Sequence, residues 1–488
     1  MNEQIENLFQ NGNGLAGQSR YAEAANFYRE VIRFDPLHFQ AQNNLAVMYA
    51  ELGKIKEAIP FYQQAIAINP DYTDACYNLA NAYKALGNLD QAALHYRSVL
   101  QLDPKLASAH NNLAICLMQT GELTQAVEHF ELALLAQPRL SLAHNGLGLA
   151  RSHLGQLDEA LVCYDRALEI DPGLAEAHYN RGLALLLKGD FAQGWDEYEW
   201  RWRLPEHRPR STDIPKWEGQ ALAGKSILLH TEQGIGDTIQ FIRFAKRLQD
   251  LGGRVLLDCR TSLHSLLRGC PGIDQLVDSD LGPLPLCDFH CPLMSVAKFL
   301  APDAASIPRD VPYIHPNADI AKHWQQELKR LNGYKIGIAW QGSAGYRWDQ
   351  FRSVRLSQYE PISRVSGVQL VSLQKGPGSE QLADSPFRVF SLAEHVDNEG
   401  NTFADTAALI KHLDLVICVD SAIGHLAGSM GVRTWIALPI GCDWRWYSEP
   451  NATNPWYPAT QLFRQCKFGD WEEVFLRMMR QLESELAV

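Results

Sequence analysis

Residues 226–251 read SILLHTEQGIGDTIQFIRFAKRLQDL: an apolar run, a Gly-x-Gly-Asp turn and an amphipathic stretch in immediate succession. Ile227, Leu228 and Leu229 make the short apolar run of a buried parallel strand. Ile239, Ile242, Ala245 and Leu248 recur at helical spacing, so the stretch predicts a strand over 226–230 and a helix over 238–251. Gly234 and Gly236 let the backbone turn sharply in between. Asp237 stands where the helix begins, at the carboxyl end of a parallel strand, which is where open α/β sheets bind their ligands. A carboxylate there either caps the helix or does chemistry in a crevice, and this stretch fits both. The full dinucleotide fingerprint is absent.

Downstream the same alternation continues, with strands predicted over 254–259 and in LCDFHCPL near 286–293, and a helix over 261–269. A second series follows the PYIHP segment and the helical IAKHWQQELKRL. Its strands are predicted near 335–340, 368–373, 415–419 and 434–438, with a helix near 403–413. Two small α/β lobes in sequence, at 225–316 and 317–488, place the natural binding site in the cleft between them.

Two motifs of the second lobe carry chemistry. In DLVICVDSAIGHLAGSMGVRTWIALP (414–439) a wholly apolar strand ends at Asp420, and a helix opens with Ser421, Ala422, Ile423, Gly424 and His425. Free amides and the positive end of the helix dipole suit a diphosphate there. In GIAWQGSAGYRWDQFRSVRL (337–356) a strand runs into a loop bearing Arg347, Arg352 and Arg355, each able to pair with phosphate oxygens.

Upstream the chain is periodic. Pro36, Pro70, Pro104, Pro138 and Pro172 stand 34 residues apart, as do Gly53, Gly87, Gly121, Gly155 and Gly189. Ala24, Ala58, Ala92, Ala126 and Ala160 keep that interval, beside Tyr28, Tyr62, Tyr96, Phe130, Tyr164 and Tyr198. This resembles the tetratricopeptide repeat, a helix-turn-helix whose copies stack into an α-solenoid with a concave binding groove. Six repeats fit within 1–208. The first is degenerate, with Gly12 and Gly14 in its first helix and Ser19 at the turn glycine, and the last ends in WDEYEWRWRL. Asn44, Asn78, Asn112 and Asn180 share one register, which Gly146 interrupts. His110, His144 and His178 share another, read as a packing or interface position. The period stops after Leu204, and 209–224 reads as a linker.

Composition sets the bounds. The chain has 488 residues, 46% hydrophobic and 20% charged, as in a soluble globular protein of two or three domains. Its net charge of -12 argues against nucleic acid as a partner. No apolar run is long enough to span a membrane, and the start MNEQIENLFQ lacks the order of a secretory signal, so a cytoplasmic location is expected. Cys287, His290 and Cys291 lack a second ligand pair, so free thiols are expected rather than a metal site.

The order GIGD at 234–237, a basic loop ending Arg352-Ser353, and Asp420-Ser421 with His425 resembles glycosyltransferase family 9, the lipopolysaccharide heptosyltransferases, over roughly residues 225 to 480. That resemblance implies a GT-B fold of two facing Rossmann-like lobes. It implies Asp237 as catalytic base, with Gly234, Gly236, Arg352, Ser353, Asp420, Ser421, Ala422, Ile423, Gly424 and His425 holding a nucleoside diphosphate sugar. Repeats ahead of such a domain are similar in layout to the O-linked N-acetylglucosamine transferases, whose asparagine ladder holds a polypeptide acceptor. On that likeness Asn44, Asn78, Asn112 and Asn180 form an acceptor groove.

The first lobe is shorter than the acceptor lobe of the heptosyltransferases, which moves acceptor choice toward the solenoid. In the segment 441–465, Trp444, Trp446 and Trp456 either line the cleft or pack in the core. The last helix, Trp471 to Leu486, is expected to cross back over the first lobe. The reading is an inverting, metal- and cofactor-independent glycosyltransferase acting on a protein or glycan. The alternatives are an envelope-polysaccharide transferase with docking repeats and a non-catalytic scaffold.

Overall fold

The computed structural model describes residues 2–207, 209–343, 345–392, 396–397, 402–447 and 454–487. It divides into two compact units: Met1–Ser152 with Asp158–Leu174, and His153–Leu157 with Ala175–Val488.

The first unit is built of paired helices: α1 (Asn2–Gly17), α2 (Tyr21–Phe34), α3 (Phe39–Glu51), α4 (Ile55–Ile68), α5 (Thr73–Ala85), α6 (Leu89–Leu102), α7 (Ala107–Thr120), α8 (Leu123–Ala136), α9 (Ser141–His153) and α10 (Leu157–Ile170). The periodic residues explain the pairing. Ala24, Ala58, Ala92, Ala126 and Ala160 have no exposed surface, so the helices cross in contact there. The Tyr28, Tyr62, Tyr96, Phe130 and Tyr164 rings fill the adjoining space, and burying a ring such as Phe130 contributes roughly 1.5–3 kcal/mol. Ser19 takes the left-handed conformation of the turn glycines, with φ 59° against 75° at Gly53, at a cost of roughly 1–2 kcal/mol. Gly12 does not break α1, because it is buried against Tyr28, whose ring a Cβ at Gly12 would meet at 2.8 Å.

The sixth helix pair, α11 (Ala175–Lys188) and α12 (Phe191–Tyr198), belongs to the second unit, so the compact division falls well before the expected domain limit at 208. The cause is packing. Trp195, Tyr198, Phe241, Trp444 and Trp456 share one core, and Trp195 Nε1 donates to the Ala301 carbonyl at 2.8 Å. WDEYEWRWRL is thus part of the α/β core. The 209–224 segment is no free linker either: Trp217 is buried, and its amide donates to the His290 carbonyl at 2.8 Å, covering a strand edge.

The first lobe has β1 (Ser226–His230), α13 (Ile235–Phe241), α14 (Phe244–Asp250), β2 (Arg254–Asp258), β3 (Gln275–Val277) and β4 (Phe289–Pro292). Its sheet is parallel, in the order β3-β2-β1-β4. The expected single helix over 238–251 is split, because the Gln240 carbonyl accepts from Arg243 Nε at 2.8 Å. The expected helix over 261–269 is a 3-10 turn, Thr261–Leu263, and one helical turn, His264–Leu267.

The second lobe has α15 (Ala318–Leu328), β5 (Tyr334–Ala339), α16 (Asp349–Arg352), β6 (Val368–Ser372), α17 (Ala404–Ile410), β7 (Leu415–Val419), α18 (Ala422–Ser429), β8 (Thr434–Leu438), β9 (Thr460–Arg464) and α19 (Trp471–Leu486). Its sheet is also parallel, ordered β6-β5-β7-β8-β9. β7 and β8 are buried throughout, as apolar runs flanked by helices should be. Helix α19 does not cross to the first lobe. Its apolar stripe of Val474, Phe475, Met478 and Leu482 covers the second sheet at Ile336, Ile417, Trp435 and Phe463. The chain is therefore a tetratricopeptide α-solenoid followed by an α/β GT-B fold of two Rossmann-like lobes.

Candidate functional site

In the second sheet the strand order reverses between β5 and β7, which opens a crevice beyond their carboxyl ends. Arg352 and Asp420 come from the two sides of that point. Arg352 Nη1 lies 3.7 Å from Asp420 Oδ2, its Nε donates to Asp349 Oδ1 at 3.0 Å, and its guanidinium lies over the Tyr346 ring. Ser353 Oγ donates to Asp349 Oδ2 at 2.8 Å and accepts from the Gly342 amide at 2.9 Å. A Cβ at Gly342 would stand 2.5 Å from Asp349 Oδ1 and 2.8 Å from Arg352 Nη2, so the loop must be bare there. Burial and then Asp443 push the Asp420 pKa up, with Arg352 opposing.

Helix α18 begins at Ser421, whose extended backbone provides no side-chain cap. Ser421 Oγ is buried beside the Cys418 thiol, without a nitrogen or oxygen partner among the described residues. The end of α18 thus keeps donors available for an anion. Gly424 and His425 serve packing. A Cβ at Gly424 would meet Ile436 at 3.0 Å, and His425 is buried with Nδ1 3.0 Å from Tyr457 OH and its ring stacked on Trp446. Burial, then the charges of Arg445, Arg243 and Arg352, hold the His425 pKa well below its ordinary value, so the ring is neutral.

Asp237 is brought to the same place from the first lobe. A Cβ on Gly236 would stand 3.0 Å from His425 and 3.5 Å from the Ala422 Cα, so the missing side chain is what lets α13 approach α18. Asp237 stands at the third position of α13, and its Oδ2 accepts from the amide of the N-cap residue Gly234 at 2.8 Å, the carboxylate half of a capping box. Its Oδ1 is paired with Arg445, a buried residue whose Nη1 also donates to Asp443 Oδ1 at 2.8 Å. Arg445 was not foreseen. Its one sequence signal is a charge between two tryptophans in the segment Asp443-Trp444-Arg445-Trp446.

The loop leading to Asp237 is tied down by the last repeat. Gln233 Nε2 donates to Tyr198 OH at 2.8 Å, and fully buried Arg201 grips Glu232 through Nε at 3.0 Å and Nη2 at 3.1 Å. Arg347 and Arg355 line an open cavity of about 690 Å³ with Gln341, Ser353, Gln358 and Trp471, next to the Arg352 network. Trp444, Trp446 and Trp456 are buried in the core and do not line the cleft, and residues 448–453 of that segment lie outside the described residues.

The asparagine register is half-buried and internally bonded. Asn44 Nδ2 donates to Asn13 at 3.2 Å, Asn78 Nδ2 to Asn43 at 3.1 Å, and Asn112 Nδ2 to Tyr77 OH at 3.0 Å. Asn180 belongs to the second compact unit. A Cβ at Gly146 would meet the Phe130 ring at 2.4 Å, which explains the gap in the series. His110 and His144 each hold a proline carbonyl, of Pro104 and Pro138, at 3.1 Å, a structural role between repeats. His290, between Cys287 and Cys291, faces His230 at 3.2 Å. Among the described residues no group of three His, Cys, Asp or Glu is placed to hold a metal ion, and no helix is long and apolar enough to cross a membrane.

Residues 47–87 and 153–189 match the family model of the TPR repeat, and 77–141 that of the tetratricopeptide repeat. Residues 401–444 match glycosyltransferase family 9 (heptosyltransferase), a stretch that takes in Asp420 to His425 but neither Asp237 nor Arg352. The chain is 26% identical over 336 residues to Protein FlbA of Caulobacter vibrioides, covering 61% of this chain and 53% of that one. It thus spans about half the length of the curated relative it matches.

Solved structures similar to part of it include the MamA protein, 23% identical over 36% of this chain and 96% of that one, TM-score 0.34. A tetratricopeptide repeat protein of Parabacteroides merdae is 19% identical over 40% of this chain and 78% of that one, TM-score 0.37. The repeats and the family 9 match together support a glycosyltransferase.

Proposed function

We propose that the second unit moves a hexosyl or heptosyl group from a nucleoside diphosphate sugar to a hydroxyl of a protein or glycan, with inversion, in the cytoplasm, and without a metal or other cofactor. The observation that carries this reading is the convergence of Arg352 and Asp420 on the strand-order reversal, with α13 and its Asp237 packed against the start of α18. In this reaction Asp237 takes the acceptor proton as the hydroxyl oxygen attacks the anomeric carbon. The bond from that carbon to the diphosphate breaks, and the charge left on the diphosphate is met by Arg352 and the first amides of α18. The 690 Å³ cavity beside Arg352 offers room for the nucleoside. The solenoid recruits the acceptor.

A second reading, in which the acceptor is an envelope glycan and the repeats only dock on a partner, is favoured by the asparagine amides already bonded within the solenoid.

The test is a thermal-shift screen of UDP-, GDP- and ADP-sugars followed by assay of sugar release. A ligand at a hundred times its Kd stabilises the folded chain by ~2.7 kcal/mol. Asp237→Asn should then lower turnover ~100- to 10,000-fold, whereas a lost cap alone costs ~1 kcal/mol of stability and leaves turnover intact. No shift with any donor, or a destabilised but fully active Asp237→Asn, overturns the assignment.

A further inference from the structure

Arg445 holds carboxylates of both lobes at once. Its Nη1 donates to Asp443 Oδ1 at 2.8 Å on its own lobe, and its Nη2 is paired with Asp237 Oδ1 on the other. The side chain is more than nine-tenths buried, its guanidinium lies over the Trp444 ring, and among the described residues its Nε has no acceptor. Meanwhile the other oxygen of Asp237 is taken by the Gly234 amide. In this arrangement the oxygen of Asp237 not used in the cap is held by a cation, which an acceptor hydroxyl would have to displace. Arg445 in turn has a donor left over and sits within electrostatic reach of Asp420 at the start of α18.

We propose that Arg445 is a latch shared in turn by two anions, Asp237 while the donor site is empty and the diphosphate of the nucleotide sugar once it is filled. This rests on the reading of Asp237 as base and of the α18 end as the diphosphate site. A diphosphate carries more charge than one carboxylate and presents several oxygens to a planar fork that already has one idle N–H. When the guanidinium turns to it, Asp237 Oδ1 is freed toward the acceptor. Binding order follows: the base is uncovered only after the donor is in place, so the empty enzyme does not activate an acceptor.

The test is a double-mutant cycle on binding of UDP, GDP and ADP to the full chain, measured by calorimetry. Asp237→Asn removes the competing anion and should tighten the best-bound nucleotide at least fivefold. Arg445→Gln should weaken it at least tenfold, and in that background Asp237→Asn should change affinity less than twofold. Equal tightening in both backgrounds means that Asp237 is felt only as a distant like charge; this overturns the latch and leaves the donor reading standing. Failure of all three nucleotides to bind the wild-type chain overturns both. Should Arg445→Gln not fold, Arg445→Met combined with Asp237→Asn and Asp443→Asn neutralises the cation and both its carboxylates together, a change that buried ionic groups tolerate. That triple variant should bind at least tenfold more weakly than Asp237→Asn combined with Asp443→Asn, and equal affinity overturns the latch.

Discussion

Arg352 Nη1 stands 3.7 Å from Asp420 Oδ2, the two facing each other where the second sheet reverses its strand order. Asp349 Oδ1 accepts from Arg352 Nε at 3.0 Å and so holds the guanidinium in place beside Asp420. Replacing Arg352 with Ala removes a preset cation from the leaving diphosphate. Loss of one such contact is typically worth ~2–4 kcal/mol, so kcat/KM should fall roughly 30- to 1000-fold. Arg352→Lys, which keeps the charge but not the fork, should fall between. Steady-state kinetics with the donor found by screening decides it. A value for Arg352→Ala within about threefold of wild type would move the role to Arg347 or Arg355 in the neighbouring cavity.

The last repeat is predicted to be indispensable to the α/β unit. Arg201 is fully buried and bonds Glu232 at 3.0 and 3.1 Å and Ser295 at 2.7 Å, while Trp195 and Tyr198 complete the core. Removing one member of a buried ion pair costs ~3–5 kcal/mol, against a total stability of ~5–15 kcal/mol. Residues 209–488 alone should therefore show no cooperative melt, whereas 153–488 should. Denaturant titration followed by near-ultraviolet dichroism compares the two. A cooperative transition in the shorter fragment refutes the prediction.

The solenoid was legible because every register that matters repeats: Ala24 and its equivalents mark helix crossings, and even Ser19 keeps the turn of the glycine it replaces. Strands β7 and β8 were legible to the residue, since a strand buried on both faces is apolar from end to end. By contrast β3 has three residues and β9 follows a proline-rich stretch, so neither carries a pattern long enough to read. The extent of α19 was visible in the sequence, but the sheet it covers was not, because an amphipathic helix does not name its partner. Arg445 was illegible for the same reason. Its partner Asp237 lies 208 residues away, and pairing at that range leaves no period.

His230 should make stability fall in acid. It is buried at the end of β1 with Nε2 3.2 Å from His290 Nδ1, and burial, then the charges of His290 and Arg210, push its pKa down to about 3. The folded chain keeps the ring neutral below pH ~6.5, where the unfolded chain takes up a proton. The unfolded state thus binds more protons, and this contribution is lost as pH falls from ~6.5 toward 3, by about 1.4 kcal/mol per unit. Urea titrations of wild type and His230→Gln at pH 7, 6, 5 and 4.5 should show a shallower fall in the variant. Parallel slopes would show that His230 is charged in the fold.

The acceptor groove gives the last prediction. An amide offers two donor hydrogens and two acceptor lone pairs. Asn44 spends one of each inside the solenoid, on Asn13 and Asn43, and Asn78 spends one donor on Asn43, while Asn112 donates to Tyr77 and Asn81 and accepts from Lys84 Nζ at 2.9 Å and Asn111 Nδ2 at 3.5 Å. Asn44 and Asn78 therefore retain capacity to pair with an extended backbone, which needs a donor and an acceptor at regular intervals and no particular side chain, whereas Asn112 would have to exchange its bonds within the solenoid for it. Replacing all three with Ala should reduce transfer to a protein acceptor at least tenfold if the repeats hold it by such bonds, at about 1 kcal/mol for each one lost. Donor hydrolysis by water needs no groove and should stay at the wild-type rate. Because Asn13, Asn43, Tyr77, Asn81 and Lys84 lose a partner as well, the melting temperature of the first unit must be followed in the same samples. A drop in protein transfer with hydrolysis intact and the repeats still folded assigns the asparagines to the acceptor. Protein transfer unchanged at wild-type levels assigns them to the ladder between repeats, and the acceptor is then a glycan that reaches Asp237 without the groove.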